Sequence, residues 1–411
     1  MIRPRRSLGG LAMALATLMV AAGCGDQTAE SEAPASSEAP DTSKAPDSSG
    51  STDTSEATET SALPEPGSQP NTEAPTGADP SAWPLRQKLA QMLFTGTNAP
   101  EDSTTDPAKI QELIDAGAGG VFAGRKETAI FGSQVLVGAA DRPVAPFVAT
   151  DAEGGQVDLL ASILEPIPAG REMAAWDAEK IRQTGQSRGA NLAELGVTVD
   201  FAPVIDVAGG SNPLGDRTWS DDPAEVVATA GVFAEGLCDS GVIPTFKHFP
   251  GHGRADAHGD DAPAQTPPLS SLEEVDLVAF TGMFEQMGDR SLLMTGHLDV
   301  PGLTDGGEPF SMNPEAMAWL RDDLGYDGVT VTDELAEMGA ITARGISVPD
   351  AVEASLVAGN DLALYFGDVD QMDQVLDQLE AAVANGRLRE AQVDRSLERI
   401  MALKDSGACA G

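Results

Sequence analysis

From Leu85 onward, short apolar runs rich in β-branched residues alternate with longer stretches of helical period, and this constrains the fold more than any other feature of the sequence. The strand candidates are Leu89 to Phe94, Gly119 to Phe122, Pro146 to Thr150, Val197 to Ala202, Ile243 to Lys247, Ser291 to Thr295, Gly328 to Thr332 and Leu362 to Tyr365. Helical stretches between them include Asp177 to Leu195, Pro223 to Ser240 and Leu272 to Met287. A last one, Glu390 to Lys404, carries Val393, Leu397 and Ile400 on one face and reads as an outer closing helix. Eight strands alternating with helices over about 325 residues is the count and length of an α/β fold of the (β/α)8, TIM-type barrel class. A doubly wound sheet has the same local pattern, so periodicity alone leaves both open.

Polar residues clustered after the strand ends favour the barrel, whose enzymes carry their chemistry there. Asp151 follows the third strand and Asp206 the fourth; Lys247 and His248 close the fifth, His297 follows the sixth, and Asp333 the seventh. The chain has four His, namely His248, His252, His258 and His297, and all fall in such positions.

The first eighty or so residues cannot join a core. Arg3, Arg5 and Arg6, an apolar run from Leu8 to Ala22, and Ala21-Ala22-Gly23-Cys24 predict a signal peptide over 1–23. The ending resembles a bacterial lipobox, which implies acylation of Cys24 and a protein anchored to the cell membrane on its extracytoplasmic face without spanning it. Residues 24–83 are Ser, Thr, Ala, Pro, Glu and Asp with almost no large apolar side chain, the composition of a disordered acidic tether. Such a tether reaches on the order of 40 Å, leaving 84–411 as the catalytic barrel.

The net charge of -40 is only partly the tether's, which holds about a dozen of the acidic residues. An acidic, Lys-poor barrel argues against nucleic acid and anionic membrane surfaces as partners. Cys238 and Cys409 can pair as a disulfide in an oxidising compartment, and neither has a second Cys or His at metal-ligand spacing.

Two constellations carry chemistry. Gly-Val-Thr-Val-Thr runs into Asp333-Glu334-Leu335 and sets a carboxylate at the barrel rim, where it can attack an anomeric carbon, bind a metal or cap a helix. Lys247-His248-Phe249-Pro250-Gly251-His252-Gly253 is a turn-rich loop leading to Asp256-Ala257-His258. Lys247 among three His argues against a metal site, and no cofactor is expected. Asp256-x-His258 suggests a carboxylate holding an imidazole in one tautomer for acid–base work.

KHFPGHG, the downstream Asp-x-His and GVTVTDEL together resemble glycoside hydrolase family 3, in its bacterial β-N-acetylglucosaminidase branch. DAEGGQV at Asp151, DFAPVID at Asp200, NPLGDRTWSDDP at Asn212 and the ending with Arg399, Ile400 and Lys404 follow in the family's order. The resemblance implies a retaining hydrolase of terminal β-linked N-acetylglucosamine, acting on peptidoglycan fragments or chitooligosaccharides. Asp333 would be the nucleophile and His258, oriented by Asp256, the proton carrier. Asp151, Arg217, Lys247 and His248 would hold substrate hydroxyls. A phosphorylase, a β-glucosidase and a non-catalytic sugar-binding lipoprotein are the competing readings.

The sequence departs from the family's pattern in three places. Gln156 and Leu159 stand where two Arg are common, the segment from Gly253 to His258 is about two residues short, and the segment after Asp333 is about one residue long.

Overall fold

The computed structural model describes residues 79–96, 106–123, 128–131, 133–406 and 409. The expected signal peptide, Cys24 and all but the last residues of the expected tether lie outside these.

Eight strands run parallel: β1 (Leu93–Gly96), β2 (Gly120–Phe122), β3 (Phe147–Thr150), β4 (Val199–Asp200), β5 (Ile243–Phe249), β6 (Leu292–Thr295), β7 (Val329–Thr332) and β8 (Ala363–Phe366). Their order around the sheet is β7-β6-β5-β4-β3-β2-β1-β8. A bridge between Val331 and Leu362 joins the two ends, supported by Leu362 N–H donating to Thr330 O at 2.9 Å and Leu335 N–H to Leu364 O at 3.0 Å. The sheet therefore closes into a barrel, which decides against the doubly wound alternative. Nearly every strand is buried along its whole length, because helices cover the outside and side chains fill the inside, so the strands read as continuous apolar runs rather than alternating ones.

The first strand corrects the sequence reading. Leu85–Ala90 is helical and β1 begins only at Leu93. Leu85 and Leu89, four apart, pack onto the core from one helix face, and a short apolar run cannot distinguish this from a strand. The stretch from Leu272 to Met287 is likewise two helices, Leu269–Glu274 and Asp276–Met287, broken at Val275. At the tether's expected end, Asp79 caps the short turn Pro80–Ala82 through Ser81 N, and Trp83 is already buried.

Helices Ala178–Glu194 and Pro223–Asp239 start on the Asp caps that the sequence offers, Asp177 and Asp222, the second with Pro at the first helical position. They cross at glycine: a Cβ on Gly185 would lie 2.4 Å from Phe233 O, and one on Gly236 2.4 Å from Arg182 O. At the end of the second helix Cys238 is joined by a disulfide to Cys409, beyond the closing helix Glu390–Asp405.

Candidate active site

The carboxyl ends of the strands surround a cavity of about 430 Å³, within the range of small-molecule sites. Asp151, Arg217, Lys247, His248, His258 and Asp333 all line it, from four different strands or the loops after them. Of the residues singled out in the sequence for the barrel rim, Asp206, Asp256 and His297 are absent from this wall.

On the β3 side, Asp151 and Glu153 alternate along one extended stretch and so point the same way. Lys247, from β5, lies between them with Nζ 2.6 Å from Asp151 Oδ1 and 2.7 Å from Glu153 Oε1. Arg217, on the turn Gly215–Arg217, donates twice to Glu153, through Nε and Nη2, both at 2.9 Å. Burial works to raise Glu153, but Arg217 and Lys247 outweigh it and hold the carboxyl at about 2. Asp151 goes the other way, because burial and the neighbouring Glu153 prevail over Lys247. Sequence reasoning missed Glu153; its two-residue spacing from Asp151 was the available signal.

The stretch carrying these carboxylates is pinned from below. The strands Ala152–Gly154 and Val157–Asp158 form a small antiparallel pair, and Asp158 meets the fully buried Arg188 at 2.8 Å. Asp200, at the end of β4, accepts from Ala152 N at 3.0 Å; burial pushes its carboxyl up to about 7, and its second oxygen has no partner.

Asp206 organises the KHFPGHG loop. Its fully buried carboxylate accepts from His248 N at 2.9 Å, His248 Nδ1 at 2.8 Å and His252 N at 2.6 Å. With Nδ1–H given to Asp206, His248 presents a bare Nε2; burial holds this imidazole well below its ordinary value, hence neutral. His297 is a strut between the β6 and β7 loops, with Nε2–H donating to Glu334 O at 2.9 Å and Nδ1 facing the Ser311 hydroxyl at 2.6 Å. His252 donates from Nε2 to Ala257 O at 3.1 Å. Three imidazoles are thus engaged internally, and among the described residues no group of three or more His, Cys, Asp or Glu is arranged to hold a metal ion.

Asp333 sits one residue beyond β7, its N–H bonded to Thr295 O at 2.9 Å and its Oδ1 accepting from Glu334 N at 3.0 Å. Burial alone would raise this carboxyl; the Lys247 ammonium and the Glu334 N–H work against it, and the group stays below its ordinary value, ionised at neutral pH. The adjacent Glu334 is used differently. It accepts from Ala336 N, Glu337 N and Phe366 N, which fixes the loop after β7 against β8.

His258 does not meet Asp256. The Asp256 carboxylate is exposed and accepts from Gln265 N at 2.8 Å, while the residue at His258 Nδ1 is Asp260. The expectation came from the two-residue spacing, but the compact turn at His258, closed by Asp261 N–H and Ala262 N–H donating to His258 O, folds the chain back so that Asp256 pairs with Gln265, its own N–H donating to Gln265 O at 3.0 Å. His258 Nε2 faces the cavity, 3.5 Å from Arg217 Nη1. Leu159, where the resemblance implied Arg, gives the cavity an apolar wall with Phe122, Phe201, Met294 and Leu364.

An ionised carboxylate and an imidazole facing one apolar-walled cavity, beside buried cations and carboxylates that can grip hydroxyls, are the equipment for displacement at a sugar's anomeric carbon. Comparison with known proteins points the same way. The family described as glycosyl hydrolase family 3 N terminal domain matches residues 84–403. The chain is 38% identical over 345 residues to the β-hexosaminidase LpqI of Mycobacterium tuberculosis, covering 80% of this chain and 85% of that protein. Among solved structures, a family 3 glycosyl hydrolase of Mycobacterium smegmatis superposes with a TM-score of 0.73 at 38% identity, covering 79% of this chain and 98% of that one. A family 3 β-N-acetylglucosaminidase of a Paenibacillus species gives 0.72 at 29% identity, covering 80% of this chain and 64% of the other.

Proposed function

Because the chain belongs to glycosyl hydrolase family 3, we propose that it is a retaining β-N-acetylglucosaminidase in which Asp333 attacks the sugar and His258 carries the proton. The observation that carries this reading is the ionised Asp333 carboxylate in a cavity shared with the His258 imidazole. The N-acetylglucosamine preference rests on the relatives, which are named β-hexosaminidase and β-N-acetylglucosaminidase.

In the first step an Asp333 oxygen bonds to the anomeric carbon as the glycosidic bond breaks, and His258 gives its Nε2 proton to the departing oxygen. In the second, His258 takes a proton from water, the water oxygen bonds to the anomeric carbon, and Asp333 leaves as a carboxylate. Lys247, Asp151, Arg217 and the bare Nε2 of His248 hold the hydroxyls. Their charges are already paired, so they are aimed without being free to move.

Water, rather than phosphate, fits as the second acceptor. Asp260 lies beside His258, and Glu337 lines the same cavity, so an entering phosphate would meet negative charge. The substrate would be a terminal sugar on a peptidoglycan fragment or chitooligosaccharide. The lipobox and acidic tether support an enzyme anchored through Cys24 at the outer face of the membrane. The test is hydrolysis of aryl β-N-acetylglucosaminide beside aryl β-glucoside: a preference for the first of about 10²-fold or more supports the reading, and equal rates or a glucoside preference overturn it.

A further inference from the structure

Two departures from the family's pattern meet at one place. The short loop carrying His258 and the long segment after Asp333 are joined by backbone hydrogen bonds, Gly339 N–H to Asp260 O at 2.8 Å and Ala340 N–H to Gly259 O at 2.9 Å. The approach is too close for a side chain: a Cβ on Gly339 would lie 2.4 Å from the carbonyl carbon and oxygen of Asp261. On the other side the Met338 methyl packs against Gly259. The loop is held where the β7 segment puts it.

The clamp fixes Asp260 beside His258. The Asp260 backbone N–H lies 3.3 Å from His258 Nδ1, and its carboxylate Oδ2 is 3.6 Å from the same nitrogen. One residue thus meets Nδ1 in either state of the ring: the amide donates when Nδ1 is bare, and the carboxylate faces it when Nδ1 carries a proton. Asp256, two residues before His258, is engaged with Gln265 N and plays no part in this.

Resting on the reading of His258 as proton carrier, we infer that Asp260 is its positioning residue, taking in this chain the place that the Asp-x-His pattern gives to Asp256. In the first step the imidazolium passes its Nε2 proton to the leaving oxygen and keeps Nδ1–H toward Asp260; in the second, Nε2 takes a proton from water and the cation forms again against the same carboxylate. The other groups facing the ring are Arg217, at 3.5 Å, and His252, with ring centres 5.6 Å apart, while Asp333, Arg217 and Asp261 act on the Asp260 carboxylate itself through the local field.

The test compares Asp260→Asn, Asp256→Asn and Asp261→Asn in the full-length enzyme, following pH profiles of kcat/KM on a disaccharide and on a dinitrophenyl glycoside. Asp260 is largely exposed, so its effect is that of a partly screened pair. Asp260→Asn moves the alkaline limb to lower pH by about 0.2–0.7 units and lowers disaccharide turnover at neutral pH about 2- to 5-fold, with less loss on the dinitrophenyl glycoside. Asp260→Glu restores part of the shift, and Asp261→Asn controls for net charge alone. If Asp256→Asn moves the limb and Asp260→Asn does not, the assignment is overturned. His258→Ala costing the same on both substrates would instead remove the underlying reading of His258, a separate result visible before any Asp variant is made.

Discussion

The Asp206 carboxylate takes both the backbone N–H of His248, at 2.9 Å, and its ring Nδ1–H, at 2.8 Å, so one fully buried group sets the chain direction and the tautomer of the same residue. Asp206→Asn replaces one accepting oxygen with an N–H₂ that has only donors before it. The expected result is about 2–3 kcal/mol lost in urea unfolding and a 10- to 100-fold fall in kcat/KM. A variant as active and as stable as the wild type would show that the loop holds itself.

Asp333→Asn keeps the shape and the bond from Glu334 N but removes the charge. Turnover should fall about 10³-fold or more with the melting temperature little changed. A slow fluorinated N-acetylglucosaminide should label the peptide containing Asp333, and label on another carboxylate would dismiss it as nucleophile.

His258→Ala should separate substrates by leaving group. A disaccharide, which needs protonation of its departing oxygen, should lose about 10²–10⁴-fold, and a dinitrophenyl glycoside far less in the first step, with a burst as the second step becomes limiting. Pre-steady-state kinetics on both substrates check this.

The Arg188–Asp158 pair has both side chains about 1% exposed, under the segment that carries Asp151 and Glu153. Removing one partner strands a buried charge, so Asp158→Asn should cost about 3–5 kcal/mol by denaturant unfolding. Replacing both with apolar residues should recover much of that stability.

Asp200 gives a pH signature. Its folded value, pushed to about 7 by burial, lies above the 3.8 of an unperturbed Asp, so its contribution to stability is complete below that lower value and is lost as pH rises through 7. Asp200→Asn does not titrate. Its stability relative to wild type should therefore improve by up to about 3 kcal/mol between pH 5 and pH 8, read from unfolding curves across that range. A constant difference would mean that Asp200 is ionised throughout.

Much of this molecule was legible because barrel strands are buried on both faces. Ile243 to Lys247 and Gly328 to Thr332 stand out as apolar runs and end at Lys247 and Asp333 with the polarity that marks the rim. Leu89 to Phe94 failed because a four-residue helical contact and a strand produce the same short run. Cys238 and Cys409, 171 residues apart, were named as possible partners from their number alone, and the structure joins them. Glu153 and Asp260 were missed for a different reason. What they do depends on Arg217, Lys247 and His258 arriving from other strands, which local spacing does not record. Asp256 was chosen for its spacing, and the turn geometry after Ala255 sent it elsewhere.

The disulfide makes residues 238–409 a covalent ring. Strands β5 to β8 lie inside it, together with Lys247, His258, Asp260 and Asp333, whereas Asp151, Glu153 and Arg217 are outside. One cut by a protease in any loop of the ring opens it without releasing a fragment, and the packed barrel can keep both sides of the cut in register. A cut before residue 238 has no such protection. In the extracytoplasmic enzyme proposed above, the half that bears the proposed nucleophile Asp333 and the proposed proton carrier His258 is the half that survives a nick as one molecule.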